Sequence, residues 1–409
     1  MASGGGDTAA AAQAADGAAV VTDFGLRLLR HCTEAAAFFP PNASMPMDVY
    51  LEMGSSANIL VSPLSVMTAL AMTAGGAEGE TLAQMEEVFG MSVPELSAYL
   101  SDYQERFEEG EGEGEAEKGK LNMANGIWFT EDERFTVEQA FLEKNEELFG
   151  AGLRRVPFDS SALEEINGWV KENTDGMIEE ILDEIPGDAV MYLVNALAFE
   201  AQWQEIYHDY QVREGIFTKE DGTGQNVDMM YSSEMWYLED ALGEGFIKEY
   251  AGGKYAFAAL LPREGMTVQE YVAALDGAKL REILANPLEV QVEARIPKYK
   301  SEYSITMNKV LQEMGMADAF DSNRADFSGI GYSWSGNIYI GRVLHKTFIA
   351  VDESGTKAGA ATAVEMKDGC AMLEPPQVRT VYLDRPFVYM ILDREENVPV
   401  FLGIVEEVN

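Results

Sequence analysis

The segment from Glu353 to Lys367 places the strongest constraint on how this chain can fold. Its side chains alternate with a period of two. One set is small and apolar or β-branched, and the other set carries charge at both ends. This alternation is typical of a strand with one buried face. The first set is Thr356, Ala358, Ala360, Thr362, Val364 and Met366, and the second is Lys357, Gly359, Ala361, Ala363, Glu365 and Lys367.

The same segment is nevertheless unusual for a strand. It follows a complete predicted strand, Leu344–Val351, through Gly355, and its alanine-rich composition is a poor intrinsic strand former. Small side chains suit a strand that must enter between two packed strands, because larger ones would clash there. We therefore predict a switch element that can be either loop or strand. A plain alanine-rich linker is the alternative interpretation.

Helix patterns are grouped early in the chain and strand patterns late, which predicts a single α+β domain with large sheets. Ser62 is a good N-cap and Pro63 suits the first helical position, so a buried helix should run from there through Ala74. The other predicted helices are Asp23–Phe39, Glu80–Phe89, Leu163–Glu172, Thr267–Leu275 and Ile305–Met314. The predicted strands are Leu121–Phe129, Tyr192–Phe199, Phe246–Tyr250, Tyr255–Leu261, Leu288–Ile296, Leu344–Val351, Val378–Tyr382, Phe387–Leu392 and Val398–Val405.

Two segments are predicted to be exposed to solvent and not packed on the core. Residues 1–20 form a Gly/Ala-rich polar tether, and residues 108–120 form a Gly/Glu-rich loop inserted in the domain of residues 21–409. The tether resembles the segment that follows the lipidated cysteine of bacterial surface lipoproteins. No charged-then-apolar signal peptide is visible, and the opening Met1 and Ala2 would stand in place of the export signal. We therefore expect an extracellular protein, either secreted or tethered to a bacterial cell surface.

The composition argues against several classes of function. Lys and Arg total 29 against 70 Asp and Glu, so the net charge of −41 would repel nucleic acid. No apolar stretch is long enough for a membrane span. The three histidines have no metal-ligand spacing, and Cys32 and Cys370 have no partners for a zinc site. With no phosphate-binding loop or nucleophile elbow, we expect no cofactor, no metal and no enzymatic activity.

Motifs that occur in order along nearly the whole chain after the tether resemble those of the serpins, the serine peptidase inhibitors, and look most like the serpins of gut bacteria. The segment from Glu353 to Thr362 is similar to the hinge of inhibitory serpins. The other matching segments are Asn58–Leu70, Val194–Phe199 with Trp203, Asp326–Ser328, Ile340–Lys346, Arg385–Phe387 and Val400–Val405. The resemblance implies three sheets, about eight or nine helices and an exposed reactive-centre loop at residues 353–378.

The resemblance also implies mechanical roles for individual residues. Trp203 would fill the breach, the point where insertion of the loop begins. A polar cluster beneath the centre of the main sheet, the shutter, would consist of Ser62, Ser65, Asn195 and His345. The hinge residues would be Glu353, Gly355, Thr356, Ala358, Gly359, Ala360, Ala361 and Thr362.

An irreversible suicide inhibitor acting as a monomer on a serine peptidase is the function that the resemblance implies. The usual spacing from the hinge glutamate places the cleaved bond at Gly369-Cys370, with Ala371 or Met372 as alternatives for an elastase-like or subtilisin-like target. Lys367 would instead suit a trypsin-like peptidase. A non-inhibitory binding or chaperone serpin is a further alternative, although such members usually carry bulky or charged hinge residues.

Overall fold

The structure, a computed structural model, describes residues 6–38, 57–109, 120–356 and 377–408. Nine α-helices occur within these ranges. They are α1 (Gly6–Phe38), α2 (Pro63–Ala74), α3 (Gly79–Phe89), α4 (Val93–Glu109), α5 (Gln139–Phe149), α6 (Ser160–Asn173), α7 (Val268–Ala274), α8 (Gly277–Ala285) and α9 (Asn308–Met314). Two short 3₁₀ turns lie at Asp209–Gln211 and Asp318–Phe320.

Strands account for most of the remaining described chain. The strands before residue 250 are β1 (Ile59–Val61), β2 (Lys120–Thr130), β3 (Phe135–Val137), β4 (Gly152–Val156), β5 (Met191–Gln202), β6 (Val212–Thr218), β7 (Gly224–Glu239) and β8 (Gly243–Glu249). Those after it are β9 (Tyr255–Pro262), β10 (Leu288–Pro297), β11 (Tyr299–Thr306), β12 (Gly331–Ser333), β13 (Leu344–Val351), β14 (Gly355–Thr356), β15 (Val378–Tyr382), β16 (Phe387–Asp393) and β17 (Val398–Val405).

The described strands form three sheets. A six-stranded sheet, called the central sheet below, has the order β11-β13-β14-β5-β2-β4. A larger sheet has the order β1-β17-β16-β9-β8-β7-β10-β15, with β6 beside β7, and β12 pairs with β3. Helices therefore pack on large, mainly antiparallel sheets, and the predicted α+β class with three sheets is confirmed.

Helix α2 forms where the sequence predicts it and for the predicted reasons. The side chain of Ser62 caps the helix by accepting a hydrogen bond from the backbone N–H of Ser65, and Pro63 occupies the first turn. Nearly every side chain of α2 is buried, because the helix packs against one face of the central sheet. On the opposite face, α6 covers β2 and β5 through a separate apolar cluster that includes Trp128, Ile166 and Val194.

The first helix is longer than predicted. It runs from Gly6 to Phe38 without interruption, so residues predicted to be tether are helical. Alanine is the strongest helix former, and the segment is rich in it. Gly17 and Ala18 are buried, and an added Cβ on Gly17 would lie 2.2 Å from the ring of Tyr99. The last part of the predicted tether thus packs on the domain because glycine permits a close approach there.

Two other predicted boundaries are wrong. Ile305 does not start a helix but lies in a strand, β11, in which it pairs with His345 of β13, and the helix starts only at Asn308. Isoleucine suits either structure, and pairing with β13 decided between them. The predicted loop 108–120 overlaps α4, which ends at Glu109, and β2, which starts at Lys120, and its residues 110–119 lie outside the described ranges.

Candidate functional site

A tight turn joins β13 to β14 and will be called the hinge turn (residues 352–355). The backbone N–H of Asp352 donates to the carbonyl of Gly355 at 3.0 Å. The carboxylate of Asp352 accepts from the backbone N–H groups of Ser354 at 2.8 Å and Gly355 at 3.2 Å. A short polar side chain that bonds the backbone two residues ahead is a common way to fix a turn. The hinge turn therefore has a defined conformation.

Gly355 and Thr356 form β14 between β13 and β5. Thr356 pairs with Val351 on one side and with Ala201 on the other. A Cβ added at Gly355 would lie 2.0 Å from the carbonyl oxygen of Ala201, so only glycine fits this approach. Thr356 is 1% exposed, and its hydroxyl lies 2.5 Å from that of buried Tyr250. The start of the hinge is thus a central strand of the sheet.

Trp203, the predicted breach residue, holds the hinge turn from the end of β5. Its indole N–H donates to the carbonyl of Asp352 at 2.8 Å, and its backbone N–H donates to that of Ser354 at 2.9 Å. Its ring is 1% exposed and stacks on Tyr250 with centroids 4.5 Å apart. Trp203 therefore contacts the hinge turn itself and the tyrosine that meets Thr356.

Glu353 lies on the outer side of the hinge turn. Its carboxylate is 2.6 Å from the ammonium of Lys298, and this hydrogen bond lowers the pKa of Glu353 below its ordinary value. The carbonyl of Glu353 accepts from the backbone N–H of Tyr207 at 2.9 Å. Because both partners of the ion pair are partly exposed, it holds position more than it adds stability.

The structure brings three of the four predicted shutter residues into one hydrogen-bonded group. The backbone N–H of Ser62 donates to Nε2 of His345 at 3.2 Å, and the Ser62 hydroxyl donates to the carbonyl of Val400 at 2.9 Å. Ser65 joins through its backbone N–H, which donates to the Ser62 hydroxyl. All three residues are buried, so these bonds satisfy groups that water cannot reach.

His345 is neutral at physiological pH in this arrangement. It is 5% exposed, and burial lowers its pKa from 6.5 to about 4. A ring nitrogen that accepts a hydrogen bond cannot carry a proton, which agrees with that direction. The pairing of His345 with Ser62 therefore depends on the uncharged imidazole.

Asn195, the fourth predicted shutter residue, lies on β5 and bonds elsewhere. Its amide donates to the side-chain oxygen of Asn125 on β2 at 2.8 Å, and Asn125 donates in turn to the carbonyl of Phe149. The side-chain oxygen of Asn195 is buried and has no hydrogen-bond partner within the described part of the chain. A donor placed beside β5 could form a hydrogen bond with this buried oxygen of Asn195.

The two strands that flank β14 face each other and, within the described ranges, are not paired with one another. β5 and β13 run parallel, because β14 is antiparallel to both. Among the described residues, no hydrogen-bonded ladder joins β5 to β13 beyond β14. Between the amino-terminal ends of the two strands lies a cavity of about 580 Å³, lined by residues 190–195, Leu344 and His345, with α2 among its walls. Within the described part of the chain, no strand fills the stretch between β5 and β13 beyond β14.

The remaining predicted site residues fall in the range 357–376, outside the described residues. They are Ala358, Gly359, Ala360, Ala361, Thr362, Lys367, Gly369, Cys370, Ala371 and Met372. The other cysteine, Cys32, is buried in the core, and burial raises its pKa to about 12.

Sequence reasoning missed several residues that complete the site. Tyr250 and Lys298 contact the hinge, and Asn125 extends the shutter onto β2. Thr347 donates through its hydroxyl to the carbonyl of Leu60 at 2.7 Å and so joins β13 to β1. Asn125 and Thr347 are polar residues at inward positions of strands, a signal that was available in the sequence. Lys298 carries no such signal.

The described ranges contain no group of three or more His, Cys, Asp or Glu side chains arranged to bind a metal ion. No helix in these ranges is long and apolar enough to cross a membrane.

The fold and the residues predicted for the hinge, the breach and the shutter agree with one family of proteins. A family model described as Serpin (serine protease inhibitor) matches residues 41–408. The chain belongs to the serpin family, as the motifs predicted. This membership assigns it to serine protease inhibition in general and confirms the prediction that it is not an enzyme.

Particular serpins resemble the chain over most of its length. Leukocyte elastase inhibitor A of Mus musculus is 31% identical over 373 residues, which cover 87% of this chain and 94% of that protein. The crystal structure of tengpin, a thermophilic serpin, in the native state has 41% identity and a TM-score of 0.83, covering 96% of this chain and 94% of that one. Tengpin in the latent state gives a TM-score of 0.79, with coverage of 96% and 98%.

Proposed function

We propose that this serpin is an irreversible suicide-substrate inhibitor of serine peptidases. The serine hydroxyl of the peptidase attacks a carbonyl in the reactive-centre loop, the peptide bond breaks, and the carboxy-terminal segment keeps the new amino group. The loop remains attached to the peptidase as an ester. Insertion of the freed loop into the central sheet then moves the peptidase before water can hydrolyse that ester.

The observation that carries this proposal is the position of β14. Gly355 and Thr356 already pair with β13 and β5, and the edges of those strands beyond β14 are unpaired among the described residues. A strand that continued from Thr356 would gain backbone hydrogen bonds on both sides. The polar edges of β5 and β13 thus favour insertion of the segment that follows.

Extending the observed register supports the same proposal. Thr356 is opposite Val351 and Ala201, so six residues further Thr362 would be opposite His345 and Asn195. Residues at even positions would face the core, as Thr356 does. The hydroxyl of Thr362 could then meet the unpaired side-chain oxygen of Asn195. The small and β-branched residues predicted for the buried face would occupy that face.

Insertion of the cleaved loop as a full strand would displace the attached peptidase over a long distance. About 12 residues at about 3.3 Å each correspond to about 40 Å. The active form must then hold free energy that insertion releases, so its stability is kinetic. We further propose that the active form is monomeric and that it works outside the cell, secreted or tethered to a bacterial surface.

The target class follows from the loop sequence. Cys370, Ala371 and Met372 suit the small apolar pocket of an elastase-like or subtilisin-like peptidase, with cleavage after one of them, close to the Gly369-Cys370 bond that the hinge spacing indicates. The similarity to a protein named leukocyte elastase inhibitor A supports this choice. Cleavage after Lys367 by a trypsin-like peptidase is the second candidate. Lys367 and Lys357 are the only basic residues in the sequence from 353 to 378, and Lys367 is the one near the expected bond.

Denaturing electrophoresis tests the proposal directly. The chain is mixed in turn with pancreatic elastase, neutrophil elastase, subtilisin and trypsin, and the released carboxy-terminal peptide is sequenced by mass spectrometry. A band at the summed mass that survives boiling is expected for an elastase or subtilisin, and the first residue of the peptide identifies the cleaved bond. Cleavage by all four enzymes without such a band would contradict inhibition and favour a non-inhibitory binding or chaperone role.

A further inference from the structure

A buried lysine lies directly behind the breach. Lys248 on β8 is 3% exposed, and its ammonium is 3.0 Å from the carboxylate of Glu234 on β7. The ammonium also donates to the carbonyl of Glu205 at 3.3 Å. Removing both charges from water is so unfavourable that apolar side chains of similar volume often give equal or greater stability. Fold stability alone is therefore a weak reason for an ion pair at this position.

The contacts of Lys248 point to a second role. Its ammonium lies 4.6 Å from the ring centroid of Tyr207 and 5.3 Å from that of Trp203. A cation close to an aromatic ring is attracted to it, and the attraction is strongest where water is excluded. The hydroxyl of Tyr207 is fixed in addition by Ser232 at 3.1 Å. Lys248 thus holds two aromatic side chains in place at once.

These two aromatic residues are the ones whose backbone holds the hinge turn. Trp203 donates its backbone N–H to Ser354, and Tyr207 donates its backbone N–H to Glu353. The indole N–H of Trp203 bonds Asp352 as well. If Trp203 and Tyr207 are fixed, three consecutive carbonyls of the hinge turn are fixed, and β14 begins in register with β5.

We propose that Lys248 is a positioning residue for loop insertion, which keeps the first strand pair of the inserting segment preformed through Trp203 and Tyr207. The inference rests on the proposed inhibitory function. If β14 is already paired with β5 before insertion begins, the conformational entropy of ordering that pair is not lost during insertion. Lys248 therefore acts on the rate of insertion through Trp203 and Tyr207.

The test compares insertion rates after cleavage of the loop. The full chain is cut by elastase or subtilisin, and the time course of insertion is followed by stopped-flow tryptophan fluorescence and by the gain of thermal resistance. Lys248→Met should slow insertion about tenfold, which corresponds to about 1.4 kcal/mol of barrier. More molecules should also be cleaved for each complex formed, while the rate of cleavage stays unchanged.

Two further variants separate positioning from stability. Lys248→Met combined with Glu234→Gln removes the unpaired carboxylate, so it should recover thermal stability but keep the slow insertion. Recovery of both would show that only charge compensation matters and would overturn the inference. Lys279→Met is the matched control, because Lys279 pairs at 2.9 Å with Asp240, whose side chain is 6% exposed, without touching the hinge. It should insert at the rate of the unaltered chain.

The inference and the proposed function fail in different ways. If the unaltered chain gains no thermal resistance after cleavage, insertion itself is absent and both proposals are wrong. If the unaltered chain inserts and Lys248→Met inserts equally fast, the role of Lys248 is wrong and the inhibitory function stands.

Discussion

Replacement of Ala358 by glutamate tests the insertion mechanism, because insertion would bury the side chain at this position among apolar residues. If the observed register of β14 continued, residue 358 would be opposite Ile349 of β13 and Phe199 of β5. Both side chains are 4% exposed and face the core together with Thr356. A side chain at residue 358 must therefore enter an apolar environment during insertion, and alanine does so without a polar group.

The magnitude follows from the ionisation of the new carboxyl group. A glutamate has an ordinary pKa of about 4.3, so protonating it at pH 7 to allow burial costs about 3.7 kcal/mol. If about half of that penalty is present in the transition state of insertion, the insertion rate falls about 20-fold. Hydrolysis of the ester is unaffected, so the ratio of trapped to released peptidase should fall by the same factor. Ala358→Glu should behave mainly as a substrate.

The assay is the same electrophoresis with the peptidase that forms a complex, now quantifying the complex band and the cleaved chain. Lys357→Glu is the matched control, because residue 357 would lie on the opposite face, beside the partly exposed Glu200, if the same register continued. It should retain most of the complex. If Ala358→Glu still formed a stable complex in the normal ratio, the register or the insertion itself would be refuted.

Three further predictions concern stability. Trp203→Phe keeps the stacking but removes the indole donor to Asp352, which should lower the free energy of unfolding by about 1–3 kcal/mol in urea titration. Burial lowers the pKa of His345 to about 4, so the unfolded chain binds the proton more readily between pH 6.5 and 4 and stability is lost as the pH falls through that window. Relative to His345→Gln, the unaltered chain should therefore lose about 2 kcal/mol between pH 7 and 5 in the same titration. An equal slope for both proteins would contradict the buried neutral imidazole. Burial raises the pKa of Glu406 to about 7, so its contribution is favourable at low pH and is lost as the pH rises through 7. At pH 8, Glu406→Gln should unfold at a higher temperature in calorimetry, by the equivalent of about 1 kcal/mol, and an unchanged midpoint would count against the raised pKa.

Elements with strong local signals were predicted correctly from the sequence. The helix after Ser62 begins at its N-cap, and the apolar strands β9, β16 and β17 lie close to their predicted bounds. Elements with mixed composition were missed, namely β6, β7 and β11. Burial alternates regularly along β11 but not along β6 or β7. Pairing of β6 with β7, of β7 with β10 and of β11 with β13, and not local propensity, made these segments strands.

In the candidate site, too, some features have a local sequence signal and others depend on the tertiary structure. The alternation of small residues after Gly355, the serpin motifs and the positions of Trp203 and His345 could all be read from the chain itself, because each depends on residue type and local spacing. Only the tertiary structure could place Lys298 on Glu353, Tyr250 on Thr356 and the buried Lys248 behind the breach, because these contacts join residues far apart in sequence. The sequence by itself therefore predicts which segment can become a strand. The pairing of β14 with both β5 and β13 decided where that strand begins, since these strands come together only in the folded protein.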